Sequence, residues 1–284
     1  GVETFIFDKH EAPAVGTSST PSGILQPRPI NDGSPVAEFF AAAFDYAARI
    51  YNSLNRVWES NGVLVLGRDH ADACRYQKLI GGRVLNKVEC REISGVDLQL
   101  TGTWFSKGGV LNTVDVCAQL GAGSTAFLGR TIVDFWRQGN IWRLKDDQGR
   151  RYDAKAIVLA GGMETLPLCG FSPLGLRANR GQISFLGSSR NTQRLSKAIT
   201  FGGYLTPPIA GRHVLGATFD REPQWNDMSW AEVREESHNR NIKTLTSRVP
   251  IIYENLGRAS GGWTGLRATT PDRLPVLGPV PDTM

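Results

Sequence analysis

Residues Gly261 to Asp282 read GGWTGLRATTPDRLPVLGPVPD, an aromatic and glycine-rich run that predicts a strand, followed by a turn punctuated by prolines. The two halves meet near Arg267. A guanidinium at that junction offers a planar fork of donors that grips a carboxylate through two parallel hydrogen bonds, fixing its angle as well as its position. Arg267 is therefore the first substrate-anchor candidate, in competition with a bracing role in which it pairs with Asp272 across the turn.

Working outward, 284 residues with 40% hydrophobic content are enough for one large domain or two intimate ones around a true core. No run of eighteen apolar residues occurs, and the opening GVETFIFDKH has neither a basic leader nor a signal-type apolar block, so no membrane association is expected. Four cysteines, Cys74, Cys90, Cys117 and Cys169, are scattered without a Cys-x-x-Cys pair, which predicts reduced thiols and a cytoplasmic protein. His70, Asp72 and Cys74 alternate as on one face of a strand, but three such residues near a turn make a weak ligand set, and no metal is expected.

The net charge of +5 suits a polyanionic partner without requiring one. Its distribution is more informative. Between Glu164 and Asp220 there is no acidic residue, while Arg177, Arg180, Arg190, Arg194, Lys197 and Arg212 all fall in the gap. Two readings stand side by side: an ordinary solvated face, or a phosphate-facing surface for RNA.

Along the chain, Val2 to Phe7 predicts a buried strand with Asp8 at its carboxyl end, a place where an acid takes ribose hydroxyls in nucleotide-binding sheets. The turn-rich loop EAPAVGTSSTPSG follows. Apolar residues recur at helical spacing from Pro35 to Glu59, predicting a long amphipathic helix whose aromatics belong to the core. Short strands are expected at Val63 to Leu66 and Thr103 to Phe105, and a helix from Asn112 or Thr113 to Gly121. Ile132 to Trp136, Trp142 to Lys145 and Arg151 to Ala154 read as an antiparallel meander turning at Gln148 and Gly149. Ile157 to Leu159 reads as a short apolar strand running into Ala160, Gly161 and Gly162, where glycines permit close approach of a ligand to the backbone. Beyond it come β-prone runs at Gln182 to Leu186, Gly203 to Thr206 and His213 to Ala217, then a helix from Ser229 to about Leu245.

Six segments, EAPAVGTSSTPSGILQPRP, GGVLNTVDVCAQL, IVLAGGMETLPL, RGQISFL, GGYLTPPIAGRHVLGATFDR and GLRATTPDRLPVLGPVPD, together resemble the D-amino-acid oxidase and glycine oxidase family of FAD-dependent amine oxidases. The GYLTP, HVLGATF and RATTPDRLPVLG pieces are most similar to the branch of that family that modifies tRNA. The resemblance implies an α/β fold in which an incomplete Rossmann-like FAD-binding domain (1–62 and 108–165) interleaves with a mostly antiparallel β substrate domain (63–107 and 166–266), residues 267–284 returning toward the first. It gives Asp8 the adenosine ribose. Gly16, Thr17, Ser18 and Gly23 run beside the flavin and its pyrophosphate, although Ser19 and Thr20 replace the commoner Gly-Asn ending of that loop. Val133 touches adenine through its backbone, and Ala160 and Gly161 approach the ribose. Arg267 binds the substrate carboxylate, with Tyr204 as a second contact. The family's opening strand and G-x-G-x-x-G turn have no counterpart here, and its final glycine-rich turn lies past Met284, so the chain reads as an internal fragment.

For the whole enzyme, the resemblance implies oxidation of 5-carboxymethylaminomethyl-(2-thio)uridine at the tRNA wobble position, with FAD as cofactor and a methyltransferase domain as a possible fused partner. Two alternatives stay open. One is an oxidase of free glycine, sarcosine or another small amino acid; the other is a non-catalytic fragment unable to retain FAD. The four histidines show no hydrolase motif, and no acid or base catalyst is expected.

Overall fold

The computed structural model describes residues 2–28, 30, 32–170, 175–222 and 224–279. Strand β1 (Phe5–Asp8) leads through a 3-10 turn at Thr17–Ser19 into β2 (Gly23–Leu25). Helix α1 (Pro35–Ser53) begins where Ser34 caps the Ala37 amide and Pro35 occupies the first turn, which needs no donor from it. It stops short of the predicted Glu59: Leu54 turns extended and Arg56 takes φ +54, sending Val57 into a separate small core with Leu111 and Val116.

Next come β3 (Trp58–Leu66), α2 (His70–Ile80), β4 (Arg83–Leu85) and α3 (Lys87–Ser94), the last opened by a capping box between Asn86 and Glu89 and closed by left-handed Gly95. His70, Asp72 and Cys74 therefore sit on a helix rather than a strand. His70 Nε2 and Cys74 Sγ lie 3.5 Å apart one turn along, whereas Asp72 faces Arg68 and Arg75; no metal-holding cluster is found among the described residues.

Strand β5 (Gly102–Leu111) is longer than the predicted Thr103 to Phe105, and α4 (Thr113–Leu120) has the expected caps at Asn112 and Gly121. Strand β6 (Thr125–Leu128) pairs in parallel with β1. The meander forms as read, from β7 (Ile132–Gln138), β8 (Ile141–Asp146) and β9 (Arg151–Ala154), its turn tied by the Asp146 carboxylate, which accepts from the Gln148 and Arg150 amides and the Tyr152 hydroxyl. Ile157 to Leu159 is not a strand. Its backbone has no ladder partner among the described residues and Val158 is 82% exposed, because an apolar run becomes a strand only where another strand lies beside it.

After the short helix α5 (Thr165–Cys169) the long strand β10 (Arg177–Gly187) organises the rest. It is followed by β11 (Ala198–Thr200), β12 (Tyr204–Leu205), β13 (Arg212–Gly216), β14 (Asp220–Arg221), α6 (Glu235–Arg248), α7 (Pro250–Tyr253) and β15 (Ala259–Thr269). Helix α6 starts at Glu235 rather than Ser229 because Met228–Ala231 is taken by a 3-10 turn that Asp227 caps. The main sheet runs β14-β10-β13-β12-β11-β3-β5-β2, with β15 on β10 and β4 on β5. Its pairs are antiparallel except β11 with β3. One side buries Leu64, Leu66, Leu98, Leu186 and Leu245 in the principal core. No helix among the described residues is long and apolar enough to cross a membrane.

One expectation about charge is corrected here. Arg180, counted among the cations of the acid-free segment, is fully buried and cannot face a phosphate from outside. Its guanidinium donates to the carbonyls of Trp230 (2.8 Å) and Glu232, to Ser237 Oγ (3.2 Å) and to Gln182 Oε1 (2.7 Å). Arg177, Arg190, Arg194 and Arg212 are exposed.

Candidate functional site

The site is built around β15. Alternation along a strand puts Leu266 and Arg267 on opposite faces, and Arg267 pairs in register with Asn179 of β10. Its side chain then crosses β10 above Gly181, where a Cβ would lie 2.1 Å from Arg267 Nη1. Only a residue without a side chain allows that path. On the far side Arg267 Nη1 donates to the carbonyl of Thr218 at 3.4 Å, in the connection from β13 to β14, and its Cζ lies 5.7 Å from the Phe219 ring centroid.

Tyr204 of β12, the other residue expected to meet the substrate, is coupled electrostatically to Arg267. Burial pushes its phenol up to about 12, against which the nearby Arg267 pulls it down; the same burial lowers Arg267, which Tyr204 partly offsets. The two expected substrate contacts therefore share one electrostatic environment. No carboxylate lies within ion-pair distance of Arg267 among the described residues, and Asp272 instead accepts from the Leu274 amide at 3.0 Å. The turn-brace reading is set aside. A largely desolvated guanidinium with one long hydrogen bond has most of its five donors unspent, an arrangement that favours an anionic ligand.

The residues expected at the cofactor fall into two groups, one of which packs on this strand. In the loop after β1, Thr17 Oγ1 donates to the Leu266 carbonyl and Trp263 Nε1 donates to Ser19 Oγ at 3.2 Å, while Thr113 Oγ1 at the start of α4 donates to the carbonyls of Ser18 (2.7 Å) and Thr20 (2.9 Å). The loop is thus clamped between β15 and α4. Gly16 has nothing within 4 Å of where a Cβ would stand, and Gly23 is packed so tightly that a Cβ would meet Thr113 Cγ2 at 2.5 Å.

Asp8, Val133, Ala160 and Gly161 form the second group. The Arg130 amide binds the Asp8 carbonyl at 2.9 Å, three residues before Val133, and Lys9 forms an ion pair with Glu164, three residues after Gly161. Val133 sits at a register shift between β7 and β8 and has no cross-strand partner. The Asp8 carboxylate accepts from the His10 amide (3.0 Å) and faces His10 Nδ1 (2.8 Å) through Oδ1, leaving Oδ2 without a partner among the described residues. An acid with a spare oxygen, exposed backbone at Ala160 and Gly161, and open space at Gly16 fit a dinucleotide that needs one hydroxyl acceptor and close backbone approach. Ala268 of β15 lies 3.9 Å from where a Cβ on Gly162 would be, so the turn that follows Gly161 meets the strand that carries Arg267.

Sequence reasoning missed Gly181, Thr218, Phe219 and Trp263. Gly181 had a signal: a lone glycine inside the β-prone run RGQISFL marks a close approach. Thr218 and Phe219 had none, because nothing local tells which loop a side chain will cross to.

This fold and site define a flavin-dependent oxidoreductase. The family model of FAD dependent oxidoreductases called DAO matches residues 1–284; the chain belongs to that family, whose cofactor is FAD. Among curated proteins it is 28% identical over 299 residues to the tRNA 5-methylaminomethyl-2-thiouridine biosynthesis bifunctional protein MnmC of Magnetococcus marinus, covering 99% of this chain and 44% of that protein. The protein of the same name from Pseudomonas putida is 27% identical, covering 100% and 45%. The chain thus spans less than half the length of these relatives. Among solved structures, glycine oxidase from Geobacillus kaustophilus superposes with TM-score 0.74 at 21% identity, over 98% of this chain and 79% of that one. L-proline dehydrogenase from P. horikoshii does so with TM-score 0.75 at 15% identity, over 98% and 78%. At such identities the likeness is one of fold.

Proposed function

We propose that the chain is the oxidoreductase part of a cytoplasmic tRNA-modifying enzyme. Its reaction converts 5-carboxymethylaminomethyl-(2-thio)uridine at the wobble position to the 5-aminomethyl base and glyoxylate. The names of the curated relatives support the tRNA pathway, and their bifunctional description supports a second catalytic unit in the whole protein, which this reading takes to be a methyltransferase. The observation that carries the chemistry is the half-buried Arg267 guanidinium, which has no carboxylate within ion-pair distance among the described residues.

Bound FAD supplies the hydride acceptor. Asp8, Gly16, Thr17, Ser18, Gly23, Val133, Ala160 and Gly161 are the residues assigned to hold it. Arg267 takes the substrate carboxylate in a bidentate grip, which orients the adjoining methylene rather than merely retaining it. Tyr204, protonated throughout the neutral range because its phenol is pushed up to about 12, donates a hydrogen bond to the same group. No side chain need remove a proton from carbon: the unprotonated amine releases hydride from its methylene, and the resulting imine takes up water to give glyoxylate and the primary amine.

The test is Arg267→Lys in the complete flavoprotein. Loss of the bidentate geometry removes about 1.5–3 kcal/mol of charge-assisted binding, so KM for hypomodified tRNA rises about tenfold or more while absorbance near about 450 nm shows FAD retained. Unchanged KM removes Arg267 from the site. Turnover of glycine or sarcosine with none on hypomodified tRNA assigns the chain to free amino acids instead, since the same arginine serves either carboxylate.

A further inference from the structure

Phe219 is 46% exposed, and two guanidinium groups address its ring. Arg267 Cζ lies 5.7 Å from the ring centroid and Arg273 Cζ lies 5.0 Å from it. The two arginines differ in setting: Arg267 is half-buried, Arg273 is exposed at φ +62 in the proline turn. No described carboxylate lies within ion-pair distance of Arg273. Asp272, the residue before Arg273, accepts from the Leu274 amide at 3.0 Å, and the acids that follow Phe219 are paired elsewhere. Asp220 is held by Arg240 through two 2.6 Å hydrogen bonds, and Glu222 by Arg234 at 3.4 Å. The mouth of the Arg267 site therefore carries two guanidinium groups around one aromatic ring that is about half open to solvent.

A carboxylate alone has no use for that face. A flat conjugated ring does, because bases stack on phenylalanine and on guanidinium planes whatever their sequence. We propose that Phe219 and Arg273 form a stacking platform for a nucleobase of single-stranded RNA, holding the base while Arg267 holds the carboxylate attached to it. This rests on the function proposed above and names how its substrate is recognised. The cationic rim supplies the matching charge for the flanking phosphates.

The experiment uses the complete FAD-loaded protein and an anticodon stem-loop oligoribonucleotide carrying 5-carboxymethylaminomethyluridine at the wobble position. Phe219→Leu keeps apolar bulk and removes the stacking face, so KM for the oligonucleotide rises about tenfold or more with kcat largely retained, and Phe219→Trp restores the wild-type KM. Arg273→Gln raises KM in the same direction. Equal KM for wild type and Phe219→Leu, or a tryptophan variant as impaired as the leucine one, overturns the platform while leaving the proposed reaction standing. Failure of the wild-type protein to turn over the oligonucleotide at all overturns the reaction and the platform with it.

Discussion

Gly181 determines where Arg267 can lie. The glycine is in ordinary strand conformation, so alanine is allowed by its backbone, yet the added Cβ falls 2.1 Å from Nη1 and 2.6 Å from Cζ of the arginine. What must yield is the end of a flexible side chain, not the sheet. Gly181→Ala is accordingly expected to keep fold and flavin, with a thermal midpoint within a few degrees of wild type, while KM for the carboxylate substrate rises about tenfold. Steady-state kinetics beside a flavin spectrum checks it; an unaltered KM means the guanidinium does not act from above β10.

At the scale of elements, β10 and α6 are joined by polar atoms as much as by apolar ones. Gln182 accepts through Oε1 from Arg180 (2.7 Å) and the Arg234 amide (2.8 Å) and donates through Nε2 to the Arg234 carbonyl (2.8 Å). Gln182→Ala takes one of four acceptors from the buried Arg180 guanidinium and unpairs the amide and carbonyl of Arg234 at the entry to α6, a loss of about 2–3 kcal/mol measurable by chemical denaturation. A loss below about 1 kcal/mol indicates that water replaces the amide.

The same elements show what a sequence discloses. Helix α4 was legible at both ends because Asn112 and Gly121 are local signals, and the meander because its turn and alternation are local too. Helix α1 was overrun since Val57 keeps helical spacing across a turn and is buried for another reason. Ile157 to Leu159 failed as a strand because pairing is a non-local fact. Arg267 was named from its place at a strand end and Tyr204 from family likeness; the route of Arg267 over Gly181 to Thr218 depends on which strands are neighbours, which no spacing states.

For the molecule as a whole, one buried histidine ties stability to pH. His213 is fully buried, its Nδ1 2.7 Å from the Thr206 carbonyl and its Nε2 without a partner among the described residues. Burial lowers its pKa from the usual 6.5, the Thr206 carbonyl partly opposing. Below about pH 6.5 the unfolded chain therefore binds a proton that the folded one refuses, and stability falls as pH falls through that value and beyond. Between about pH 7.5 and 5.5, wild type is expected to lose thermal midpoint and His213→Gln to lose less; parallel slopes for the two proteins refute the assignment.

The Thr17 hydroxyl bonds to the Leu266 carbonyl, and the next residue along is Arg267. On the proposed assignment, redox partner and acidic handle are gauged from a single peptide unit, a ruler of one hydrogen bond and one amide link. Residues at the rim, Phe219 and Arg273 among them, can be exchanged to suit another amine while that ruler keeps its length. Such a division lets one scaffold change customers without recalibrating its chemistry.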